Sequence, residues 1–235
     1  MRRTALVTGS AKGIGKAILL ALAREGFDVA VHYKNSELEA ETTRQEAEAL
    51  GVRSIKLQAD VTQPEEAQRL VSAAASELGG LHVLVNNVGD YLKTPIEKCS
   101  PQEWQRMLDS NLNATFYVTQ AAIPHMVRAG FGRVVNIGFA GAQNLLARPG
   151  ITAYVIAKTG VILYSKALAK QLARQGITVN VVSPGIAENS ISKPIEEIPM
   201  GRLADLEELA RAVLFFVREG YVTGQVIEVS GGWNL

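Results

Sequence analysis

Tyr154 and Lys158 are the two residues whose types and spacing most directly suggest proton transfer. They are four residues apart in a helical pattern, so their side chains share one face. A free phenol has a pKa of about 10, and a lysine cation within a few ångströms lowers that value by roughly 1–3 units. The pair is therefore a candidate proton donor for an oxygen that gains negative charge. A Tyr-x-x-x-Lys spacing found alone is more often a packed phenol beside a solvated amine.

A second chemical feature is the glycine-rich segment Thr8–Gly15, which follows a short apolar run and opens a helical pattern. Gly9, Gly13 and Gly15 let the backbone turn tightly and let a pyrophosphate approach. The helix N-terminus that follows offers free N–H groups and the positive end of its dipole. At the first strand–helix junction of a βαβ pattern this loop predicts nucleotide binding. A plain strand-to-helix turn is the alternative.

These residues need a framework, which alternating short apolar and longer amphipathic segments supply. About seven runs rich in Val and Ile are predicted as strands of a covered parallel sheet: Thr4–Val7, Asp28–Tyr33, Ser54–Gln58, His82–Asn86, Arg133–Ile137, Thr178–Val182 and Gln225–Val229. The segments predicted as helices are Gly15–Glu25, Glu37–Leu50, Glu65–Leu78, Glu103–Arg128, Ala153–Arg174 and Leu206–Val217. This alternation predicts a single-domain, Rossmann-type doubly wound α/β fold over residues 1–235, with three αβα layers. Ligands of such folds bind outside the carboxyl ends of the strands.

Composition excludes several classes of function. The chain has 235 residues, 47% hydrophobic and 20% charged, as expected of a globular protein with a substantial core. Its formal net charge of +1 gives no global field toward nucleic acid or an anionic membrane. One cysteine, Cys99, and histidines that do not cluster predict no metal site. We expect no membrane span, because none of the apolar runs approaches about 18 residues, and no signal peptide, which indicates a cytoplasmic location.

Several motifs, taken together, identify a family. In chain order they are Thr8–Gly15, Asp60-Val61, Asn86-Asn87-Val88-Gly89, Asn111, Tyr154-x-x-x-Lys158, Pro184-Gly185, Thr223-Gly224-Gln225 and Ser230-Gly231-Gly232. With this order and spacing the chain resembles a classical short-chain dehydrogenase/reductase over essentially its whole length. It looks closest to the 3-oxoacyl-carrier-protein reductases, with some similarity to pteridine reductases. The resemblance implies an oxidoreductase that reduces a carbonyl by hydride transfer, with Tyr154 as the proton donor.

The resemblance also implies cofactor contacts at the positions that match the family motifs. Asp60 would bind the adenine amino group, and the backbone of Ile186 would meet the nicotinamide carboxamide. Asn189-Ser190 stands where the family usually has a threonine that touches a phosphate. The complete set implied by the resemblance is Gly9, Gly13, Ile14, Gly15, Asp60, Val61, Asn87, Gly89, Tyr154, Lys158, Pro184, Gly185 and Ile186.

Further roles implied by the resemblance concern catalysis and access. Lys158 would hold the nicotinamide ribose as well as act on Tyr154. Asn111 would anchor a water that links Lys158 to solvent for proton return. The segment 186–205 contains Pro194, Pro199 and Gly201 and corresponds to the family's mobile lid.

The end of the second predicted strand favours NADP(H) over NAD(H). A site for NAD places a carboxylate there to bind the ribose 2′-hydroxyl, and that carboxylate repels a 2′-phosphate. Here the strand ends His32-Tyr33-Lys34-Asn35, and the first acid is Glu37. Lys12, inside the glycine loop, adds a second cation, and a phosphate between two lysines forms charge-assisted hydrogen bonds. We predict that Lys12 and Lys34 contact NADP(H); two solvated lysines are the alternative.

The catalytic serine of the family is missing. Alignment from the fifth strand places Phe139 at that position, whereas counting back from Tyr154 places Gly141 there. No serine occurs between Ser110 and Ser165. Removal of one oxyanion-type donor costs about 10²–10³ in turnover, or about 2.7–4 kcal/mol, which is severe but leaves room for catalysis.

Residues near this position are predicted to form the substrate pocket. Phe139 would supply an apolar wall that favours a flat or aromatic carbonyl compound. Gln143 and Asn144 are the favoured replacement donors, with Thr152 or a water as alternatives and an ordinary polar loop as the more common outcome. Tyr91 follows the Asn86–Gly89 motif and would lie near the mouth of the pocket.

Two classes of function follow. The first is an NADP(H)-dependent reductase of a ketone or 3-oxoacyl compound; a pterin is an alternative substrate, although pteridine reductases carry an aspartate at the serine position and this loop has no acid. The second is a nucleotide-binding homologue that has lost catalysis and acts as a binding or assembly subunit. The presence of Tyr154, Lys158 and Asn111 favours the first.

The sequence says less about macromolecular partners. By resemblance, the helices Glu103–Arg128 and Ala153–Arg174 would form the interface of a homo-oligomer, a tetramer or a dimer. Arg128, Arg133 and Arg148 could assist an acyl-carrier-protein dock, but solvated surface residues are the favoured interpretation.

Overall fold

A seven-stranded parallel sheet forms the centre of the protein, in the order β3-β2-β1-β4-β5-β6-β7. The computed structural model describes residues 2–234. The strands are β1 Thr4–Val7, β2 Asp28–Tyr33, β3 Ser54–Gln58, β4 Val83–Asn86, β5 Gly132–Ile137, β6 Ile177–Pro184 and β7 Val226–Val229. The predicted Rossmann-type α/β sheet is confirmed, and its order changes direction between β1 and β4, where such folds bind ligands.

Helices cover both faces of the sheet. They are α1 Gly13–Arg24, α2 Glu37–Ala49, α3 Pro64–Leu78, α4 Pro101–Leu108, α5 Ala114–Ala129, α6 Thr152–Leu172 and α7 Leu206–Arg218. Two apolar layers hold them in place. One contains Ile18, Leu22 and Phe216 beneath α1 and α7, and the other contains Leu70 and Met126 beneath α3, α5 and α6.

The helix predicted over Glu103–Arg128 is divided in the structure. A π-helical turn at Asp109–Asn113 separates α4 from α5. Polar side chains take backbone carbonyls along this stretch: Ser110 Oγ donates to Arg106 O at 2.8 Å, and Thr115 Oγ1 donates to Asn111 O at 2.7 Å. Such local bonds compete with the α-helical pattern, and π-turns often occur at functional sites.

The strands end in register at one edge of the sheet. Val7 pairs with Val31 of β2 and with Val85 of β4, and Asn86 pairs with Asn136 of β5. The segments that follow these strands therefore meet at the same edge.

One helix is long and apolar enough, by length and composition alone, to cross a membrane, although it carries Lys158, Lys166 and Lys170 and holds no run of 18 apolar residues. It comprises α6 with its flanking turns, Pro149–Gln175, and is the one stretch within residues 2–234 that passes this test. Its inner face packs on β6 and buries Lys158 and Ser165, as the core helix of a globular domain does.

Candidate active site

A cavity of about 710 Å³ opens at the carboxyl edge of the sheet. Its walls come from the start of α1, the segments after β4, β5 and β6, the first two turns of α6, the loop that precedes α7 and the C-terminal segment. The residues expected from the sequence that line it are Ile14, Asn87, Gly89, Tyr91, Phe139, Tyr154, Lys158, Pro184, Gly185 and Ile186. The expected catalytic pair and part of the expected nucleotide site therefore share one cavity.

Helix α6 holds Tyr154 and Lys158 one turn apart. Lys158 is buried and its Nζ donates a 2.8 Å hydrogen bond to Ile137 O at the end of β5. The same Nζ lies 5.7 Å from the centroid of the Tyr154 ring. Burial lowers the pKa of Lys158 to about 8, so the ammonium is still largely charged at neutral pH.

The pKa of Tyr154 moves in the opposite direction to the sequence-based expectation. Burial raises the pKa of the phenol above its ordinary value, and the neighbouring Tyr91 adds to the rise. The lysine cation does not reverse this, because its Nζ bonds Ile137 O and lies against the aromatic ring. The Tyr154 hydroxyl is thus held protonated.

Asn111 reaches the site from the π-turn. Its Nδ2 donates to Asp90 O and to Met107 O, each at 3.0 Å, while its Oδ1 is buried without a partner. A Cβ placed on Gly89 would lie 2.3 Å from this Oδ1 and 3.2 Å from Lys158 Nζ. Glycine at position 89 therefore lets the backbone pass close to Asn111 Oδ1 and Lys158 Nζ, and a larger residue would collide with them.

The glycine-rich loop Thr8–Gly15 folds tightly at the start of α1 and leaves room for an anion beside its backbone. Gly9 and Gly13 have φ values of +64° and +60°, and a Cβ on Gly15 would lie 2.4 Å from Gly9 O. Asn87 Nδ2 donates to Gly9 O at 3.2 Å, which ties the loop to the segment after β4. No side chain caps the start of α1, where Lys12 is the N-cap residue. Its first N–H groups therefore fit a pyrophosphate.

His32 supports this loop from β2 and was not singled out by the sequence. The N–H of Gly9 donates to His32 Nδ1 at 2.9 Å, which leaves Nε2 as the protonated nitrogen, 3.1 Å from Ala59 O. Burial lowers the pKa of His32 to about 4. The signal in the sequence was a polar residue inside an otherwise apolar strand.

Both lysines expected at the 2′-phosphate are paired with carboxylates in the structure. Lys34 Nζ lies 2.7 Å from Asp60 Oδ2, and Lys12 Nζ lies 3.6 Å from Glu39 Oε1. Burial raises the pKa of Asp60, but hydrogen bonds from Lys34 and Thr62 outweigh this and hold it below its ordinary value. Val61, beside Asp60, is buried. Lys12 and Lys34 therefore both lie in ion pairs with neighbouring carboxylates, and their contact with NADP(H) stays a prediction.

Asn189 lies where the family's phosphate-binding threonine was expected. It lines the cavity, and a Cβ on Gly13 would lie 3.0 Å from its Nδ2. Its side-chain amide therefore reaches the glycine loop and offers the N–H donor that a phosphate requires.

Aromatic rings form the substrate side of the cavity. The Tyr154 ring meets Phe139 edge-to-face with centroids 5.3 Å apart, and it meets Tyr91 in the same manner at 5.2 Å. Trp233 extends this wall, 5.9 Å from Phe139. Of the two positions considered for the missing serine, Phe139 lines the cavity, whereas Gly141 lies outside its lining and donates its N–H to Glu228 Oε1 at 2.8 Å.

The expected replacement donors do not line the cavity. Gln143 and Asn144 are exposed at the end of the turn Ala142–Asn144, and Gln143 Nε2 donates to Glu228 Oε1 at 3.1 Å. Thr152 Oγ1 donates to Arg148 O at 3.1 Å. The carboxylate of Glu228, on β7, accepts hydrogen bonds from both Gly141 and Gln143 of this loop, a contact that the sequence could not indicate.

Trp233 and Arg148 are cavity residues that sequence reasoning missed. Gly231 and Gly232 have φ values of +60° and +88° and turn the chain so that Trp233 reaches the cavity. Arg148, expected at the surface, lies with its Cζ 4.6 Å from the centroid of a Trp233 ring. Arg133, which was likewise expected at the surface, is buried, with its Cζ 4.1 Å from the Phe131 ring centroid. The signal for Trp233 was a large aromatic residue directly after Ser230-Gly231-Gly232.

Comparison with known proteins gives the same family as the geometry. A family model described as enoyl-(acyl carrier protein) reductase matches residues 9–234. The chain is a short-chain dehydrogenase/reductase. It is 36% identical to the 3-oxoacyl-[acyl-carrier-protein] reductase FabG of Staphylococcus epidermidis, covering 99% of both chains. A 3-oxoacyl-[acyl-carrier-protein] reductase of Synechocystis is also 36% identical, with 98% of this chain and 96% of the relative covered.

Solved structures of the family superpose closely on this dehydrogenase/reductase. The acetoin dehydrogenase YohF of Salmonella typhimurium aligns with a TM-score of 0.92 and 33% identity, covering 98% of this chain and 97% of that one. An acetoin dehydrogenase of Enterobacter cloacae gives a TM-score of 0.92 and 32% identity over 99% of this chain and 96% of that chain.

The site of this dehydrogenase/reductase fits the nicotinamide dinucleotide that its family uses. The tight glycine loop, the uncapped start of α1 and the buried, unpartnered Asn111 Oδ1 are the features that support the fit. Within residues 2–234, no group of three or more His, Cys, Asp or Glu side chains could hold a metal ion. The arrangement can therefore bind a dinucleotide and present a protonated phenol to a carbonyl compound.

Proposed function

We propose that this protein is an NADP(H)-dependent carbonyl reductase in which Tyr154 is the proton donor. The observation that carries the proposal is the convergence of Tyr154 and Lys158 with Asn87 and Ile186 on one cavity. A protein that only bound nucleotide would not need a buried ammonium beside a phenol in that cavity.

The proposed mechanism assigns one task to each side chain. When bound, NADPH supplies a hydride to the carbonyl carbon. Tyr154 donates its hydroxyl proton to the carbonyl oxygen, because burial keeps the phenol protonated. Lys158 stabilises the phenolate that remains. We propose that the buried, unpartnered Asn111 Oδ1 anchors a water that returns the proton through Lys158.

The proposed preference for NADP(H) depends on Lys12 and Lys34. Their side chains are 69% and 58% exposed in the ion pairs with Glu39 and Asp60. Exposed pairs are worth little because solvent screens them, so either lysine can exchange its carboxylate for a 2′-phosphate at small cost. The side-chain amide of Asn189 adds a donor near the pyrophosphate.

The proposed substrate is a ketone or 3-oxoacyl compound with a flat body, and a pterin is the alternative. The aromatic wall of Phe139, Tyr91 and Trp233 supports a flat substrate. The names of the relatives support the 3-oxoacyl class. We also propose that segment 186–205 acts as a lid, since Ile191, Ser192 and Pro194 border the cavity.

A second candidate function is a nucleotide-binding subunit without catalysis. It is favoured by the ring of Phe139 beside Tyr154, where the family has a hydroxyl donor, and by the placement of Gln143 outside the cavity. Either function is proposed for a cytoplasmic homo-oligomer.

The test is NADPH oxidation by the purified protein with ketones, diketones, 3-oxoacyl thioesters and pterins, alongside direct measurement of NADPH binding. Turnover of a carbonyl compound supports the reductase. Tight NADPH binding without turnover across the whole panel would contradict it and support the binding subunit.

A further inference from the structure

The charge of the cavity is one-sided. Among the residues of the described chain that line it, the charged side chains are Lys93, Arg148 and Lys158, and none is acidic. Lys158 belongs to the proposed catalytic group, whereas Arg148 lies beside Trp233. A cavity lined by cations and by no acid favours a substrate that carries negative charge.

Arg148 is held in place by neutral groups. Its Cζ lies 4.6 Å from the centroid of a Trp233 ring, and its Nη2 donates to Asn234 Oδ1 at 2.6 Å. Within residues 2–234 its guanidinium forms no ion pair. A guanidinium fixed by an aromatic face and one amide keeps its remaining N–H groups to donate in parallel to a carboxylate.

Aromatic rings connect Arg148 with the proton donor. Trp233 meets Phe139 at 5.9 Å, and Phe139 meets Tyr154 at 5.3 Å. The field of Arg148 also reaches Tyr91: burial raises the pKa of Tyr91, and Arg148 opposes that rise. Phe139 and Trp233 therefore form a chain of edge-to-face contacts that begins at Tyr154, and the Arg148 guanidinium lies beside its last ring.

We propose that the substrate is a flat carbonyl compound bearing a carboxylate, and that Arg148 is the residue that selects this carboxylate. This inference rests on the proposed reductase function. The carbonyl lies at Tyr154, the flat body lies against Phe139 and Trp233, and the carboxylate pairs with Arg148. Lys93, at the same cavity, strengthens the attraction without fixing a direction.

The experiment compares substrates matched in shape and different in charge, with 4-acetylbenzoate and its methyl ester as the pair. The wild type is expected to reduce the carboxylate with the lower KM. Arg148→Met should raise the KM for 4-acetylbenzoate by about tenfold or more, as loss of a charged hydrogen bond predicts, and should leave the KM for the ester nearly unchanged. Arg148→Lys, which keeps the charge but loses the fork, should fall between.

Two further measurements separate specificity from folding and from catalysis. Arg174→Met removes an exposed arginine outside the cavity lining and should leave the KM for both compounds unchanged. Binding is also read without turnover: the chain has two tryptophans, so a Trp104→Phe background leaves Trp233 as the reporter, and 4-acetylbenzoate should quench its fluorescence more strongly than the ester.

The outcomes distinguish this inference from the function on which it rests. Turnover of the neutral ester without preference for the carboxylate would overturn the role of Arg148 and leave the reductase intact. Equal losses for both compounds in Arg148→Met would show that Arg148 only supports the fold of the cavity. Absence of turnover with either compound, together with selective quenching of Trp233, would keep the anion site and overturn the flat keto-carboxylate as substrate; the reductase itself is rejected only if the wider panel is silent as well.

Discussion

Burial shifts the protonation equilibria of two neighbouring groups, Tyr154 and Lys158, in opposite directions. Burial raises the pKa of the phenol and lowers that of the ammonium. A raised pKa keeps the phenol protonated but makes it a weaker acid, so proton transfer to a carbonyl oxygen would depend on Lys158 to stabilise the phenolate that forms.

Tyr154→Phe tests whether the phenol is the proton donor, because the substitution removes the hydroxyl group and keeps the ring. We expect turnover to fall by roughly 10²–10⁴, the usual contribution of a general acid, while the dissociation constant for NADPH stays nearly unchanged. Lys158→Ala should lower turnover and also raise the dissociation constant for NADPH. Steady-state kinetics and NADPH fluorescence titration measure them, and full activity in Tyr154→Phe would place the donor elsewhere.

Phe139→Ser tests whether the ring occupies the place of a missing donor. A hydroxyl there should raise turnover on simple ketones, toward the roughly 10²–10³ that one oxyanion donor supplies elsewhere. Phe139→Ala is the matched control, since it opens the same space without a donor. Equal gains in both variants would mean that space, and not the hydroxyl, limits the reaction.

Lys34→Asp tests the choice of dinucleotide. The new carboxylate would stand beside Asp60, where the structure now has a 2.7 Å ion pair, and would repel a 2′-phosphate. We expect the dissociation constant of NADPH to rise by about tenfold or more, as for a lost charge-assisted contact, and that of NADH to change little. Equal losses for both dinucleotides, or tighter NADH binding in the wild type, would refute the proposed preference.

At the scale of elements, β1, β2 and the glycine loop are joined by His32. Its Nδ1 accepts from Gly9 N–H, and Ser10 N–H donates to His32 O at 3.0 Å. The loop therefore depends on a neutral imidazole, because a proton on Nδ1 would remove the acceptor that Gly9 uses.

His32 consequently makes stability depend on pH. The unfolded chain binds a proton near the ordinary value of 6.5, whereas the folded protein does so only near 4. The contribution of His32 to stability is complete above pH 6.5 and is lost as the pH falls from 6.5 to 4, by roughly 3 kcal/mol if each pKa unit is worth about 1.4 kcal/mol. Urea unfolding over this range measures it. His32→Asn keeps an acceptor and a donor but does not titrate, so its stability should fall less; an identical slope would exclude His32 as the cause.

The elements that could be predicted from sequence are those fixed by local pattern. β1, β2 and β3 begin and end at the predicted residues, because runs of Val and Ile between turn residues leave few alternatives. The π-turn could not be predicted, because the helical spacing of apolar residues does not show that the Ser110 and Thr115 hydroxyls donate hydrogen bonds to backbone carbonyls.

Parts of the site that depend on distant residues were also beyond the sequence. The motifs indicated Tyr154 and Lys158 because their spacing is local. The loop that contains Gln143 is held by a hydrogen bond to Glu228, a residue 85 positions later in the chain. Trp233 reaches the cavity only because Gly231 and Gly232 adopt positive φ values. Tertiary contacts decided these placements.

At the scale of the whole molecule, α5 and α6 leave an apolar patch on the surface, formed by Phe116, Ile156 and Leu163. Their exposed fractions are 43%, 44% and 70%. Phe116 also contacts Tyr164 of α6 edge-to-face at 5.7 Å, so the two helices present one continuous surface. Only 39% of the most apolar stretch of α6 is buried. A contiguous apolar patch of this kind marks an interaction surface.

We expect a homo-oligomer to form through this patch, because the outer face of α6 is apolar while its inner face holds Tyr154 and Lys158. Leu163→Glu places a carboxylate in the patch and should dissociate the oligomer, because burying an unpaired charge costs several kcal/mol. Light scattering at micromolar concentration measures the mass. Leu38→Glu is the matched control, since Leu38 is 82% exposed on α2 and lies outside the patch, and it should keep the wild-type mass. If the interface also steadies α6, Leu163→Glu should lower turnover together with the mass. A monomeric wild type, or an unchanged mass in Leu163→Glu, would show that the patch does not join copies of this chain.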